Sequence, residues 1–173
     1  MNFNNELCFK IGKMQTINIE KRICLDCKYL DNKIMVHLLN KIKEITNDKC
    51  TQEYGYILKV NKINKIISHE IGRANTDNIF NLSFEADVLK PEKGLKTSGK
   101  VCMIYKDGIF IDILDKQKML IPKTQLTNYT FNNDIKNYVD KKGNYININD
   151  EINVMIIAVS YNGKKYSCFG SII

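Results

Sequence analysis

The stretch "IFNLSFEADVLKP", Ile79 to Pro91, restricts the fold more than any other part of the chain. Phe80, Leu82, Phe84, Ala86 and Val88 alternate with Asn81, Ser83, Glu85 and Asp87. A period of two sustained this long is the pleat of a half-buried strand, because a helix would scatter the same residues around its axis. Such a strand needs a sheet beside it and an apolar layer over one face. The stretch "DNKIMVHLLNKIKEITNDK" supplies that layer. Its Ile34, Leu38, Ile42 and Ile45, with Met35 and Leu39 beside them, have helical spacing, and Asp31 or Asn32 is placed to cap the helix. "MQTINIEKRICLD" reads as a strand bent near Lys21, "YGYILKVNKINKII" as a β-rich run, and "SHEIGRANTDN" as a loop. The expected order is β-α-β-β, an antiparallel sheet with one main helix on one face.

"KPEKG" then interrupts the pattern. Pro91 holds Lys90 extended, and Gly94 permits a sharp turn. Beyond it come short β segments, at roughly 94–106, 109–114, 118–122, 144–148, 151–160 and 164–172, separated by turn residues. Many short strands with such turns point to a small barrel or sandwich. The long connection "TQLTNYTFNNDIKNYVDKKGN" is expected to be mobile, with a short helical turn. The expected organisation is a flexible N-terminal extension over 1–13, an α+β domain over 14–90 and an all-β domain over 91–173. A chain of 173 residues accommodates two such small domains. Each would have a thin core of its own.

Within the second half, "KVCMIYKDGIFIDI" is a hairpin around Asp107-Gly108, the dipeptide that best satisfies a two-residue type I′ turn. A loop of that length pairs Lys106 with Ile109, Tyr105 with Phe110, Ile104 with Ile111 and Met103 with Asp112. One face then carries Cys102, Ile104, Ile111 and Ile113, and the other Met103, Tyr105, Phe110 and Asp112. The second face includes a charge and must see water. Its two aromatics fit either a base-stacking platform or a cross-strand pair that stabilises the hairpin.

The formal net charge of +7 favours anionic partners such as nucleic acid. The abundance of Asn, Lys and Ile is what an A+T-rich coding sequence produces, and accounts for part of the lysine excess. No apolar run approaches the roughly 18 residues of a membrane span, and the first residues lack the apolar segment of a signal peptide. The expectation is an intracellular protein with reduced cysteines and no membrane contact. "CLDC", Cys24 to Cys27, has half the ligands of a structural zinc site and no second pair. His37 falls on the polar side of the helix, and His69 lies in the loop beside Glu70. Glu85 and Asp87 share a strand face that reads as a solvated edge. No phosphate-binding or dinucleotide fingerprint occurs, so neither catalysis nor a cofactor is expected.

The second half resembles the OB fold of the ribosomal S-one type. "SGKVCMIYKDGIFIDI" matches the first hairpin, "KMLIPKTQL" the third strand and following turn, and "INDEINVMIIAVSYNGKKYSCFGSI" the closing hairpin. With "CTQEYGYILKV" and "FEADVLKPEKG" ahead of it, nearly the whole chain resembles the larger stalk subunit of archaeal and eukaryotic DNA-dependent RNA polymerases. That family joins an RNP-like tip domain to an OB-fold barrel. The resemblance implies a non-catalytic polymerase subunit, with Tyr54, Gly55 and Tyr56 docking on the large core subunits near the clamp. Lys90, Pro91 and Gly94 would form the interdomain junction, where a smaller stalk subunit packs. It further implies an OB domain that contacts nascent single-stranded RNA, and a role in initiation at the site of transcription. That site is the nucleus or, in a large-DNA-virus version, a cytoplasmic viral factory and the virion.

RNA contacts are expected from Tyr105 and Phe110, and from Lys100, Lys106, Lys123, Lys164 and Lys165 as salt-sensitive phosphate ligands. The match has departures. Asp107 stands where an aromatic often precedes the hairpin glycine, and Pro122 where a histidine is common, which implies weak binding with little sequence preference. A free-standing OB-fold RNA-binding protein of translation or RNA decay is the alternative.

Overall fold

The computed structural model describes residues 14–72 and 77–173. The expected N-terminal arm, residues 1–13, lies outside them. The described residues fall into two compact units, Met14–Lys90 and Pro91–Ile173.

The first unit comprises β1 (Gln15–Leu25), α1 (Ile34–Thr46), β2 (Cys50–Thr51), β3 (Gly55–Ile71) and β4 (Asn78–Leu89). The sheet order is β1-β4-β3-β2, antiparallel throughout. The alternating run is therefore the central strand β4, with Phe80, Leu82, Phe84, Ala86 and Val88 buried. Helix α1 covers that face and buries Leu38 and Ile42 completely. Full burial of such side chains contributes about 1.5–3 kcal/mol each.

Several local expectations need correction. Strand β1 runs unbroken against β4 with no shift at Lys21. The helix N-cap is Lys33, and Asp31 instead accepts a 2.8 Å hydrogen bond from the Lys33 backbone N–H. The segment read as a loop from Ser68 continues as strand to Ile71, because cross-strand pairing to β4 outlasts the apolar pattern. Glu85 and Asp87 lie on the central strand, not at an edge. Asp87 accepts from Thr16 Oγ1 at 2.7 Å and Asn61 Nδ2 at 3.1 Å, and Glu85 lies 3.6 Å from Lys62 Nζ.

Strand β3 has a period of its own. Ile57, Val60, Ile63 and Ile66 recur every third residue, whereas their partners Val88, Ala86, Phe84 and Leu82 recur every second. The register slips by one residue at each step, giving four successive bulges. The first three bulges return Val60, Ile63 and the exposed Ile66 to positions opposite buried residues of β4, the fourth brings His69 opposite Phe80, and each leaves an extra residue unpaired.

The second unit comprises β5 (Lys96–Tyr105), β6 (Gly108–Ile113), β7 (Gln117–Pro122), β8 (Tyr129–Asn132), β9 (Asn137–Asp140), β10 (Glu151–Tyr161) and β11 (Tyr166–Ile172). Five of these close into a barrel in the order β5-β6-β7-β11-β10. The β7–β11 pair is parallel and the others antiparallel. Closure removes exposed sheet edges. Val101, Ile109, Ile111, Met119, Ile121, Val154 and Ile156 fill the interior. Residues 144–148 form no strand; Tyr145 makes one isolated bridge to Val139. The long connection holds the β8–β9 hairpin. Its Tyr138 is fully buried, and the hydroxyl donates to the Lys106 carbonyl at 2.8 Å. The short turn expected there is a 3-10 helix at Lys123–Gln125.

Candidate nucleic-acid interface

The β5–β6 hairpin closes one residue earlier than an Asp-Gly loop requires. Tyr105 pairs with Gly108, Ile104 with Ile109 and Met103 with Phe110, leaving Lys106 and Asp107 as the turn. Gly108, at φ 152°, sets this register: a side chain there would collide with the Ile121 carbonyl of β7. A bulge at Cys102 then restores the pattern, so that Val101 faces Ile111 and Lys100 faces Asp112. The expected inner face is corrected accordingly. Val101 takes the place of Cys102, and Ile104 is only half-buried. The expected outer set of Met103, Tyr105, Phe110 and Asp112 survives, because the bulge precedes Met103 and side-chain alternation holds from there to Tyr105 and along β6.

On that outer face the strand registers align side chains into rows. Met103 pairs with Phe110, Phe110 with Leu120 of β7, and Leu120 with Phe169 of β11. Tyr105, 54% exposed, lies beside this row. Its hydroxyl donates to Met103 Sδ at 3.3 Å, and its ring meets Phe110 edge-on at 6.0 Å. Two residues along β6 and β7, about 7 Å away, and three along β5 across the bulge, lies a second row of Lys100, Asp112 and Lys118. An apolar aromatic row beside a cationic one is the arrangement that takes bases on one side and phosphates on the other.

Asp112 is the exception in the second row. Its Oδ1 is buried without a hydrogen-bond partner. Burial raises its pKa, and the Asp115 charge adds to this while Lys118 opposes it.

The remaining lysines divide between the two ends of the barrel. Lys106 lies in the β5–β6 turn, and Lys123 follows β7; the Lys123 N–H donates to the Asp107 carbonyl at 2.9 Å, joining the two segments. Lys164 and Lys165 lie in the β10–β11 turn, where both backbone N–H groups donate to Asn162 Oδ1. Because β11 runs parallel to β7, that turn sits at the Gln117 end, with Lys100 and Lys118 and away from Lys106. The sequence singles out none of Leu120, Lys118 and Phe169, and places Met103 on the outer face but not among the RNA contacts. Phe169 was detectable in "YSCFGSI", where buried Tyr166, Cys168 and Gly170 alternate with it.

In the first unit, Gly55 has φ 78°, and a side chain there would strike the Leu89 carbonyl and Lys90 Cα. Tyr56 is buried and pairs with Cys50 and Leu89, while Tyr54 is half-buried against the core. Tyr-Gly-Tyr thus has a structural role in the sheet, and Tyr54 is the more accessible of its two rings. Lys90 Nζ donates to the Glu53 carbonyl at 2.9 Å, and the Gly94 N–H to the Ile156 carbonyl at 2.7 Å.

His69 is on β3, not in a loop. Its ring stacks on Phe80 at 4.3 Å, and Nε2 lies 3.0 Å from Asn78 Oδ1. His37, expected to be solvated, is half-buried and lies 3.2 Å from Asp31 and against Tyr29. Among the described residues no three His, Cys, Asp or Glu side chains gather as metal ligands.

Barrel order, parallel closing pair and outer face together define an OB-like barrel. Residues 90–168 match the model of the S1 RNA binding domain. An S1 RNA-binding domain of the OB-fold type is therefore present in the second unit. The match spans less than half the chain and leaves the first unit unassigned. No curated protein matches the chain.

Proposed function

We propose that the protein is a non-catalytic stalk subunit of a multisubunit DNA-dependent RNA polymerase, and that its barrel contacts nascent single-stranded RNA. The observation that carries the RNA part is the outer hairpin surface of Met103, Tyr105 and Phe110 beside Lys100, in a barrel that matches the S1 domain. Stacking on aromatic faces contributes about 1–3 kcal/mol per base and tolerates any sequence. Lysine contacts to phosphate make the affinity fall with salt. Such a surface suits an emerging transcript, whose sequence varies without limit.

The polymerase part rests on the resemblance carried by Tyr54-Gly55-Tyr56 and Lys90-Pro91-Glu92-Lys93-Gly94. The antiparallel sheet with one main helix ahead of the barrel supports it, since the resemblance requires such a unit there as an RNP-like tip that docks on the large subunits and leaves the chemistry to them. A smaller stalk subunit is the further partner, and the site of transcription is the location.

Purification of the tagged full chain from its native source, followed by mass spectrometry, tests this reading. Recovery of the large polymerase subunits is the expected result. Recovery of ribosomes or an exoribonuclease without polymerase would instead assign the protein to translation or RNA decay.

A further inference from the structure

We infer that the RNA track continues past the hairpin onto β11, with Phe169 as a base-stacking position and Lys118 as a phosphate contact. This rests on the reading of the barrel's outer face as an RNA surface and extends it to a second aromatic ring two strands away.

Phe169 is 46% exposed in the middle of a sheet face, where a large ring ordinarily gains by being covered. Its two lateral neighbours leave it open. Leu120 of β7 lies half-buried on one side, and Ala158 of β10, small and exposed, lies on the other. Two strand spacings of about 4.8 Å place Phe169 roughly 10 Å from Phe110, with Leu120 as an apolar floor between them. That gap accommodates bases resting on both rings from one continuous strand.

The polar residues give the track its sides. Lys118 is exposed and lies two residues before Leu120 on the same face. Ser167 stands in the corresponding position before Phe169, and Lys165 follows in the turn. Bases on the Phe110–Phe169 row therefore place the sugar-phosphate backbone over Lys118 and toward Lys164 and Lys165. Along its own strand the ring is bordered by Ser167 and Ser171, and diagonally by Lys118, a polar and cationic margin that suits a sugar-phosphate backbone. The second ring also answers the loss of the aromatic at Asp107: the missing stacking surface is provided across the barrel, not at the turn.

The test is fluorescence anisotropy of the full chain with a labelled single-stranded RNA of about ten nucleotides, titrated at several salt concentrations. Phe169→Ala is expected to weaken binding between about five- and a hundredfold with the salt slope unchanged, and Phe169→Tyr to restore it. Lys118→Gln is expected to reduce the slope of log affinity against log salt by about 0.7. Wild-type affinity in Phe169→Ala, with Phe110→Ala weakened, would overturn the extension and leave the hairpin surface standing. Wild-type affinity in both alanine variants would overturn the outer-face reading itself. Retained RNA affinity in Phe169→Ala with loss of a co-purifying protein would assign the ring to a protein interface and likewise overturn the proposal.

Discussion

Tyr105 and Phe110 meet diagonally across the β5–β6 hairpin, with ring centroids 6.0 Å apart and planes at 88°. They are not directly paired; Met103 occupies the position opposite Phe110. An edge-to-face pair contributes about 0.5–1.5 kcal/mol beyond area burial. Tyr105→Ala combined with Phe110→Ala loses this energy together with the burial of half-buried Phe110, and should lower the melting temperature by several degrees while the barrel stays folded. The same double variant should weaken single-stranded RNA binding at least about tenfold, from stacking worth about 1–3 kcal/mol per base. Because the proposed polymerase docking lies in the first unit, recovery of polymerase subunits should be unchanged.

Asp112 gives a prediction in pH. Burial first, and the Asp115 charge second, raise its pKa in the folded chain. The folded state thus favours the protonated form. Relative stability from this group is present below the ordinary carboxylate range and is lost as pH rises through the raised value. Asp112→Asn should be more stable than the wild type at neutral pH, and the gap in melting temperature should close toward about pH 4. A gap that widens on acidification would contradict this. Removing a negative charge from the row of Lys100 and Lys118 should also tighten RNA binding at neutral pH.

The Tyr138 hydroxyl and the Lys106 carbonyl tie the β8–β9 hairpin to the β5–β6 turn at 2.8 Å. Tyr138→Phe removes the donor, so the cost should be about 1 kcal/mol. Tyr138→Ala also leaves a cavity and should cost about 3–5 kcal/mol. Urea unfolding midpoints measure both.

Gly55 and Gly94 both have positive φ, 78° and 85°, yet their surroundings differ. A side chain at Gly94 meets nothing within 4 Å, whereas one at Gly55 meets the backbone of Leu89 and Lys90. Gly94→Ala should cost only the left-handed penalty of about 1–2 kcal/mol. Gly55→Ala should cost clearly more, as thermal unfolding of the two variants will show.

Much of this was visible in the sequence where one local rule acted alone. The alternation from Phe80 to Val88 identified β4, and the spacing from Ile34 to Ile45 identified α1. Legibility failed where two rules competed. Asp107-Gly108 satisfies a two-residue turn, but the close approach of Gly108 to Ile121 moves the turn back by one residue. The triplet pattern of Ile57, Val60 and Ile63 fits neither a strand nor a helix until β4 imposes bulges on it. Lys118, Leu120 and Phe169 become one surface only through the β6–β7 and β7–β11 registers, which are long-range and leave no mark within any single window.

The most direct measurement is the affinity of the full chain for a short single-stranded RNA and for the same sequence as a duplex, across a range of salt. The outer face of the barrel predicts preference for the single strand, whose bases are free to stack, and an affinity that falls as salt rises. Equal affinity for the duplex, or no single-strand binding at low salt, would contradict the account.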